Sequence, residues 1–343
     1  LKAWPSFFRV LGMGVILSMK RQFVLVFAFL IGTALARAEP LASWNDTDAR
    51  KRIIAFVSSV TDSASDDYIA APDRIAVFDN DGTLWSEQPV YFQLMFAVDE
   101  VKRRTKADPS LANTDTLKAA ARGDYAALAA GGEAALLEVV NFSHAGVGVD
   151  EYQANVAAWL AAARHPRTGL AYDEMTYSPM VELLEYLRSH GFKTYIVSGG
   201  GLHFMRVFAE QAYGIPDEQV IGSYTNTAYE MVGGVPAIVK TPGIGFIDDK
   251  EGKPINIDRV IGKRPVFAAG NSDGDYAMIE WTTAGEGARL GMLVHHTDAE
   301  REVAYDCDSH IGRLCKGLEN GPDKGWLIVD MARDWSRLYD ADQ

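Results

Sequence analysis

Apolar positions along the chain fall into two kinds of pattern. Residues 74–78 read Arg-Ile-Ala-Val-Phe, a short and nearly unbroken apolar run of the sort that fills a strand buried on both faces. Residues 193–197, 264–269 and 291–294 repeat that pattern and predict three more strands. Between them lie helical periodicities. Residues 46–59 keep their apolar side chains on one side, and Ser178-Pro179 opens a second helix with Met180, Leu183, Leu184 and Leu187 on one face and Gly191 closing it. Residues 223–250 alternate apolar and polar positions around Gly233-Gly234 and Pro236, which predicts short antiparallel strands.

From residue 89 to residue 177 the texture changes. Alanine-rich helical runs at 117–121, 125–130, 134–140 and 152–163 are broken only by Gly123, Gly131-Gly132 and Gly146-Val147-Gly148, and no strand pattern interrupts them. An all-helical insertion is expected there. Strands alternating with helices predict an α/β fold with a parallel sheet, whose ligand site lies at the carboxyl ends of the strands. The expected organisation is a core built from residues 39–88 and 178–343 with a helical cap at 89–177.

The first 38 residues read differently again. Met19-Lys20-Arg21, an apolar run at 23–35 and the small-x-small triplet Ala36-Arg37-Ala38 match an export leader with its cleavage site. The run is short for a membrane span. The mature protein is therefore expected to be periplasmic or secreted and not embedded in a membrane. Loss of this segment removes Lys2, Arg9, Lys20, Arg21 and Arg37 with no acidic residue, moving the formal charge from −13 to −18. Such a charge argues against nucleic acid as a partner and favours a small ligand held at a locally positive site.

The two cysteines, Cys307 and Cys315, leave two readings open. In an oxidising compartment they can pair; on one helix they would stand roughly 12 Å apart at 1.5 Å per residue, too far to bridge.

Three of the predicted strands end in polar clusters. The first runs into Asp79-Asn80-Asp81-Gly82-Thr83, where two carboxylates at a spacing of two can share a face and Gly82 lets the backbone turn behind them. A carboxylate attacking a phosphoryl group needs its charge neutralised by a divalent cation. On that chemistry Asp79 is the candidate nucleophile and Asp81 the candidate acid and base. A calcium loop does not fit, because Gly82 at its sixth position would place Val77 at the first ligand position.

The second strand ends in Ser198-Gly199-Gly200-Gly201, a hydroxyl and amides suited to phosphate oxygens. Lys253 can supply a fixed positive charge, with Lys250 and Lys263 as rivals. The third cluster, Gly270-Asn271-Ser272-Asp273-Gly274-Asp275, offers oxygen donors for a hard cation. His144, His203, His295 and His296 show no metal-ligand spacing, and Glu87 and Gln88 are candidates to face substrate under the cap.

The order of these clusters resembles the haloacid dehalogenase-like hydrolase superfamily over residues 73–89 and 178–295, and the helical insertion looks like the cap of its phosphoserine phosphatase-like members. The resemblance implies a Rossmann-like three-layer core and Mg2+. It implies nucleophile Asp79, acid/base Asp81, phosphate contact Ser198 and charge-stabilising Lys253, with Thr83, Gly199 and Gly200 beside the substrate. Asp79, Asp81, Asn271 and Asp275 are the expected metal set. Asn271 departs from the usual Gly-Asp start of the last motif, which leaves open the roles of Asn271, Asp273 and Asp275. Asp81 separates the chain from true dehalogenases. The expected activity is hydrolysis of a small phosphorylated metabolite through an aspartyl phosphate; phosphotransfer on the same scaffold and a non-catalytic binding protein are the alternatives.

Overall fold

The computed structural model describes residues 40–340; the predicted leader at 1–38 lies outside them. The sheet has seven strands: β1 Ile75–Phe78, β2 Lys193–Gly201, β3 Val220–Val232, β4 Val235–Phe246, β5 Phe267–Gly270, β6 Leu290–His295 and β7 Leu327–Asp330. Their order is β4-β3-β2-β1-β5-β6-β7. All neighbours are parallel except β3 and β4.

The apolar run of β1 is explained by its central place. Ala76 and Phe78 face a core shared with Ile53, Val57 and Val60 of the helix Asp48–Thr61 and with Phe267. Ile75 and Val77 face the other way, onto Val197, Ile257, Met278 and Leu293. Both faces of the strand are thus covered by helices, and no position on it is left for a polar side chain.

Between β1 and β2 come the helices Phe92–Ala107, Asp115–Arg122, Tyr125–Ala130, Gly132–His144 and Val149–Ala162, with no strand among them. The first four enclose a small core of their own, including Ala97, Val101, Leu117, Ala120, Leu128 and Val139, whereas Tyr152, Val156 and Leu160 of the fifth join the main core. An aromatic layer fastens this cap to the core: Trp85 meets Phe92 and stacks on Phe208, while Phe96 and Trp159 of the cap meet Phe204.

The short antiparallel strands expected at 223–250 are two long ones. β3 begins as a parallel neighbour of β2 and then leaves the sheet as the first arm of a hairpin with β4. Its turn is Gly233-Gly234, with φ of 60° and 86°, the left-handed pair that a two-residue hairpin turn requires. A bridge between Gly148 and Val239 ties β4 to the cap. No helix among the described residues is long and apolar enough to cross a membrane.

Cys307 and Cys315 form a disulfide with their Cα atoms 4.7 Å apart. Neither lies within a helix: Cys315 directly precedes the helix Lys316–Asn320, and the segment before it is irregular. The one-helix reading therefore does not hold.

Candidate active site

The strand order places the ends of β2, β1 and β5 side by side, so Ser198, Asp79 and Asn271 come together although they lie far apart in sequence. Asp79 continues the ladder one residue beyond β1, its N–H donating to the Ala269 carbonyl at 2.9 Å. The chain then turns at Gly82, whose φ of 72° favours glycine. A side chain there would also be driven into the amide of Asn271 and the carboxylate of Glu87. Space and backbone angle impose the same residue.

Lys253, on the helix Gly252–Ile261, buries its ammonium between two carboxylates, 2.6 Å from Asp79 and 2.5 Å from Asp275, and donates also to the Val197 carbonyl. Burial opposes its charge, but Asp275 and Asp79 outweigh that and hold the ammonium well above the usual lysine range. Asp79 is pushed well up by burial and by the charge of Asp275, with Lys253 pulling the other way. Asp81 is raised to about 6, chiefly by burial, against a 2.8 Å hydrogen bond from the Trp85 indole. A carboxyl that titrates near neutrality suits alternating proton donation and acceptance.

Of the other expected residues, Ser198 is buried at the cavity wall and its hydroxyl accepts from the Gly200 N–H at 3.1 Å. Gly199 and Gly200 line the same cavity. Thr83 is fully buried and donates to the Asn271 side-chain oxygen at 3.2 Å, so its role is to orient that amide.

Asp275, expected among the metal ligands, stands elsewhere in the arrangement. One oxygen takes Lys253, and the other takes the N–H groups of Asn271 and Ser272 at 3.0 Å each. It anchors the lysine and the strand end. Asp273 is drawn away from the centre, accepting from the N–H groups of Cys315, Lys316 and Gly317. The rival lysines are exposed, Lys263 pairing with Asp73 at 2.6 Å.

Glu87 is a member of the site that sequence reasoning flagged only as a substrate-facing candidate. It is 2% exposed, and one oxygen accepts from the Asn271 amide at 2.7 Å and from the Tyr305 hydroxyl at 2.6 Å. Burial, with Asp81 and Asp79 adding to it, pushes its carboxyl well up. Behind this loop His296 bonds the Gly82 carbonyl at 2.7 Å and Glu302 at 3.1 Å. Burial works against the Glu302 charge, but hydrogen bonds from His296, Ser86 and Tyr177 hold it below the ordinary value. The segment that carries Tyr305 is closed by the Cys307–Cys315 disulfide, and Gly312 packs so tightly on Glu87 that no side chain fits there.

Among the described residues no group of three or more His, Cys, Asp and Glu side chains is arranged to hold a metal. A cation here would draw on a mixed oxygen set, Asp79, Asp81 and the Asn271 amide oxygen, with Glu87 adjoining. These are hard donors. At this end of the cavity the four carboxylates Asp79, Asp81, Glu87 and Asp275 outnumber the ammonium of Lys253, and the upward pressure on the first three reflects burial together with that excess. A divalent cation fits the donor chemistry and the charge.

A cavity of about 360 Å³ opens above Asp79, Asp81 and Glu87 and runs between cap and hairpin, with Leu137, Val140 and Ile244 on its apolar walls.

The haloacid dehalogenase-like hydrolase family profile matches residues 76–280. No curated protein matches the chain. Among solved structures the chain is similar to a functionally unknown protein from Anaerococcus prevotii, at 17% identity over 72% of this chain and 85% of that one with a TM-score of 0.46. It is similar to a protein of unknown function from Bordetella pertussis, at 19% identity over 75% and 98% with a TM-score of 0.43. A third is a phosphoserine phosphohydrolase-like protein from Francisella tularensis, at 16% identity over 64% and 87% with a TM-score of 0.34. With the family profile spanning more than half of its length, and covering the strand ends that carry Asp79, Ser198 and Asn271, the chain belongs to the haloacid dehalogenase-like hydrolases.

Proposed function

We propose that the protein is a magnesium-dependent phosphatase that hydrolyses a small phosphomonoester through an aspartyl phosphate on Asp79. The observation that carries this reading is the pairing of Asp79 with Lys253 at 2.6 Å on the floor of the cavity, with Asp81 in the same wall. Lys253 bonds one Asp79 oxygen and lowers the repulsion between that carboxylate and an incoming phosphoryl group. The bond from phosphorus to Asp79 forms as the bond to the ester oxygen breaks. Asp81 gives its proton to the departing alcohol and then takes one from the water that attacks the aspartyl phosphate, returning Asp79 and inorganic phosphate. Ser198 and the Gly199–Gly200 amides are suited to the phosphoryl oxygens. The apolar cap walls keep bulk water away during the first transfer.

Magnesium would be held by Asp79, Asp81 and Asn271, and when bound it supplies the positive charge that two carboxylates and a phosphate together require. Periplasmic or secreted residence is part of the proposal; the leader pattern at 1–38 and the Cys307–Cys315 disulfide support it.

Phosphate release from a panel of small phosphomonoesters, with magnesium and with a chelator, tests the reading. Magnesium-dependent release that disappears in Asp79→Asn is expected. Turnover retained by a folded Asp79→Asn protein would overturn the assignment.

A further inference from the structure

The cavity holds a second cation that the chemistry at Asp79 does not use. Lys240 on β4 lines the cavity and is 2% exposed. Unlike Lys253 it has no carboxylate beside it among the described residues: its ammonium donates to His203 Nδ1 at 3.1 Å and sits 4.7 Å from the centre of the Tyr152 ring. Both neighbours are neutral. His203 is held at about 4, by burial first and then by Lys240 itself, and so accepts the lysine's hydrogen bond as a neutral ring. His144, which packs on Tyr152, is held neutral in the same way at about 3. Burial lowers Lys240 to about 8, and its contacts among the described residues are the His203 nitrogen and the Tyr152 ring, with no ion pair.

An ammonium buried without a counter-charge is costly, and a neutral imidazole and an aromatic face offset that cost only in part. Nearby, Thr225 on β3 lines the same cavity with a buried hydroxyl that has no hydrogen-bond partner among the described residues. An unpaired cation and an unpaired hydroxyl on adjacent strands, both in the wall of one cavity, are the complement of an oxyanion. The floor already supplies Lys253 and the Ser198 loop for a phosphoryl group, and Leu94, Leu137, Val140 and Ile244 give the cavity walls an apolar share.

We propose that Lys240 and Thr225 form a subsite for a second anionic group, so that the substrate is a small phosphomonoester bearing a carboxylate or a further phosphate on a short apolar linker. This deepens the phosphatase reading and rests on it.

The test compares n-alkyl phosphates with ω-carboxyalkyl phosphates and α,ω-alkanediyl bisphosphates of matched short lengths, in wild type, Lys240→Met and Thr225→Val. The expected result is a preference of about 10-fold or more in kcat/KM for one doubly anionic series, carried mostly by KM, that collapses in Lys240→Met. Whether the carboxylate or the bisphosphate series is preferred identifies the anion. Equal kcat/KM for neutral and doubly anionic esters in wild type, or a preference that survives Lys240→Met, overturns the subsite. If no ester is hydrolysed, the phosphatase reading fails separately, and calorimetric titration with the same compounds still decides. Tighter binding of a doubly anionic compound to wild type than to Lys240→Met supports the subsite, and equal affinities overturn it.

Discussion

The ammonium of Lys253 lies 2.6 Å from Asp79, on the same side chain that grips Asp275 at 2.5 Å. Replacing it with methionine leaves two buried carboxylates facing each other with nothing between them. We expect Lys253→Met to lower kcat about 100-fold or more and to cost about 3 kcal/mol of stability. Steady-state kinetics and urea unfolding check the two effects. Asp275→Asn should keep more stability than Lys253→Met, because its amide oxygen can still accept from the lysine.

Asp81 is assigned two proton transfers, and they separate by leaving group. An aryl phosphate with a good leaving group needs no acid, whereas the second half-reaction always needs a base. Asp81→Asn should therefore phosphorylate on Asp79 with 4-nitrophenyl phosphate and stall, with turnover reduced about 100-fold or more. Intact-mass measurement after rapid quench reads the trapped phosphoryl group. A slow variant with no covalent adduct would transfer the base to another residue.

The strand ends were legible in the sequence because each is a contiguous segment. An apolar run, then Asp-Asn-Asp-Gly-Thr, states both the buried strand and the carboxylate pair, and the parallel order follows from the alternation with helices. Lys253 was separable from Lys250 and Lys263 only through the resemblance; in the structure it is the buried one. The role of Glu87 is not legible locally, because its partners Asn271 and Tyr305 lie 184 and 218 residues away and neither contact has a local signature. Lys240 was missed. In sequence it is one polar residue in an alternating strand, and only the packing of β4 against the cap turns it inward.

Glu87 also bears on the departure at Asn271. An amide at that position brings an oxygen but no charge, and the Glu87 carboxylate lies 2.7 Å from it. Glu87→Gln should weaken magnesium binding about 10-fold or more, and Glu87→Gln with Asn271→Asp should recover most of it. Calorimetric titration with magnesium, independent of turnover, reads both. Undiminished magnesium affinity in Glu87→Gln would leave the carboxylate a role in packing alone.

The Cys307–Cys315 disulfide closes the segment between Tyr305 and the helix Lys316–Asn320, and that segment holds both Glu87 and Asp273. Replacing both cysteines with serine should cost about 2 kcal/mol through the freed loop. Because Tyr305 then holds Glu87 less firmly, magnesium affinity should fall along with stability. Thermal unfolding with and without reductant, and magnesium titration, measure the two consequences.

Lys240 is a place where function opposes stability. Its ordinary value is 10.5 and burial lowers it to about 8, so in the folded protein the charged form is penalised. That penalty is fully present below about pH 8, shrinks as pH rises because the buried amine gives up its proton first, and is gone above the ordinary value. Lys240→Met should therefore raise Tm by about 3 °C or more at neutral pH, with a gain that fades toward about pH 10. Affinity for a second anion should move the opposite way, falling in wild type as pH passes through about 8 while His203 and His144, already neutral, stay silent. Calorimetric scans across this range test both slopes. A variant no more stable than wild type at neutral pH would mean that Lys240 is already compensated, and the case for an anion at that end of the cavity would go with it.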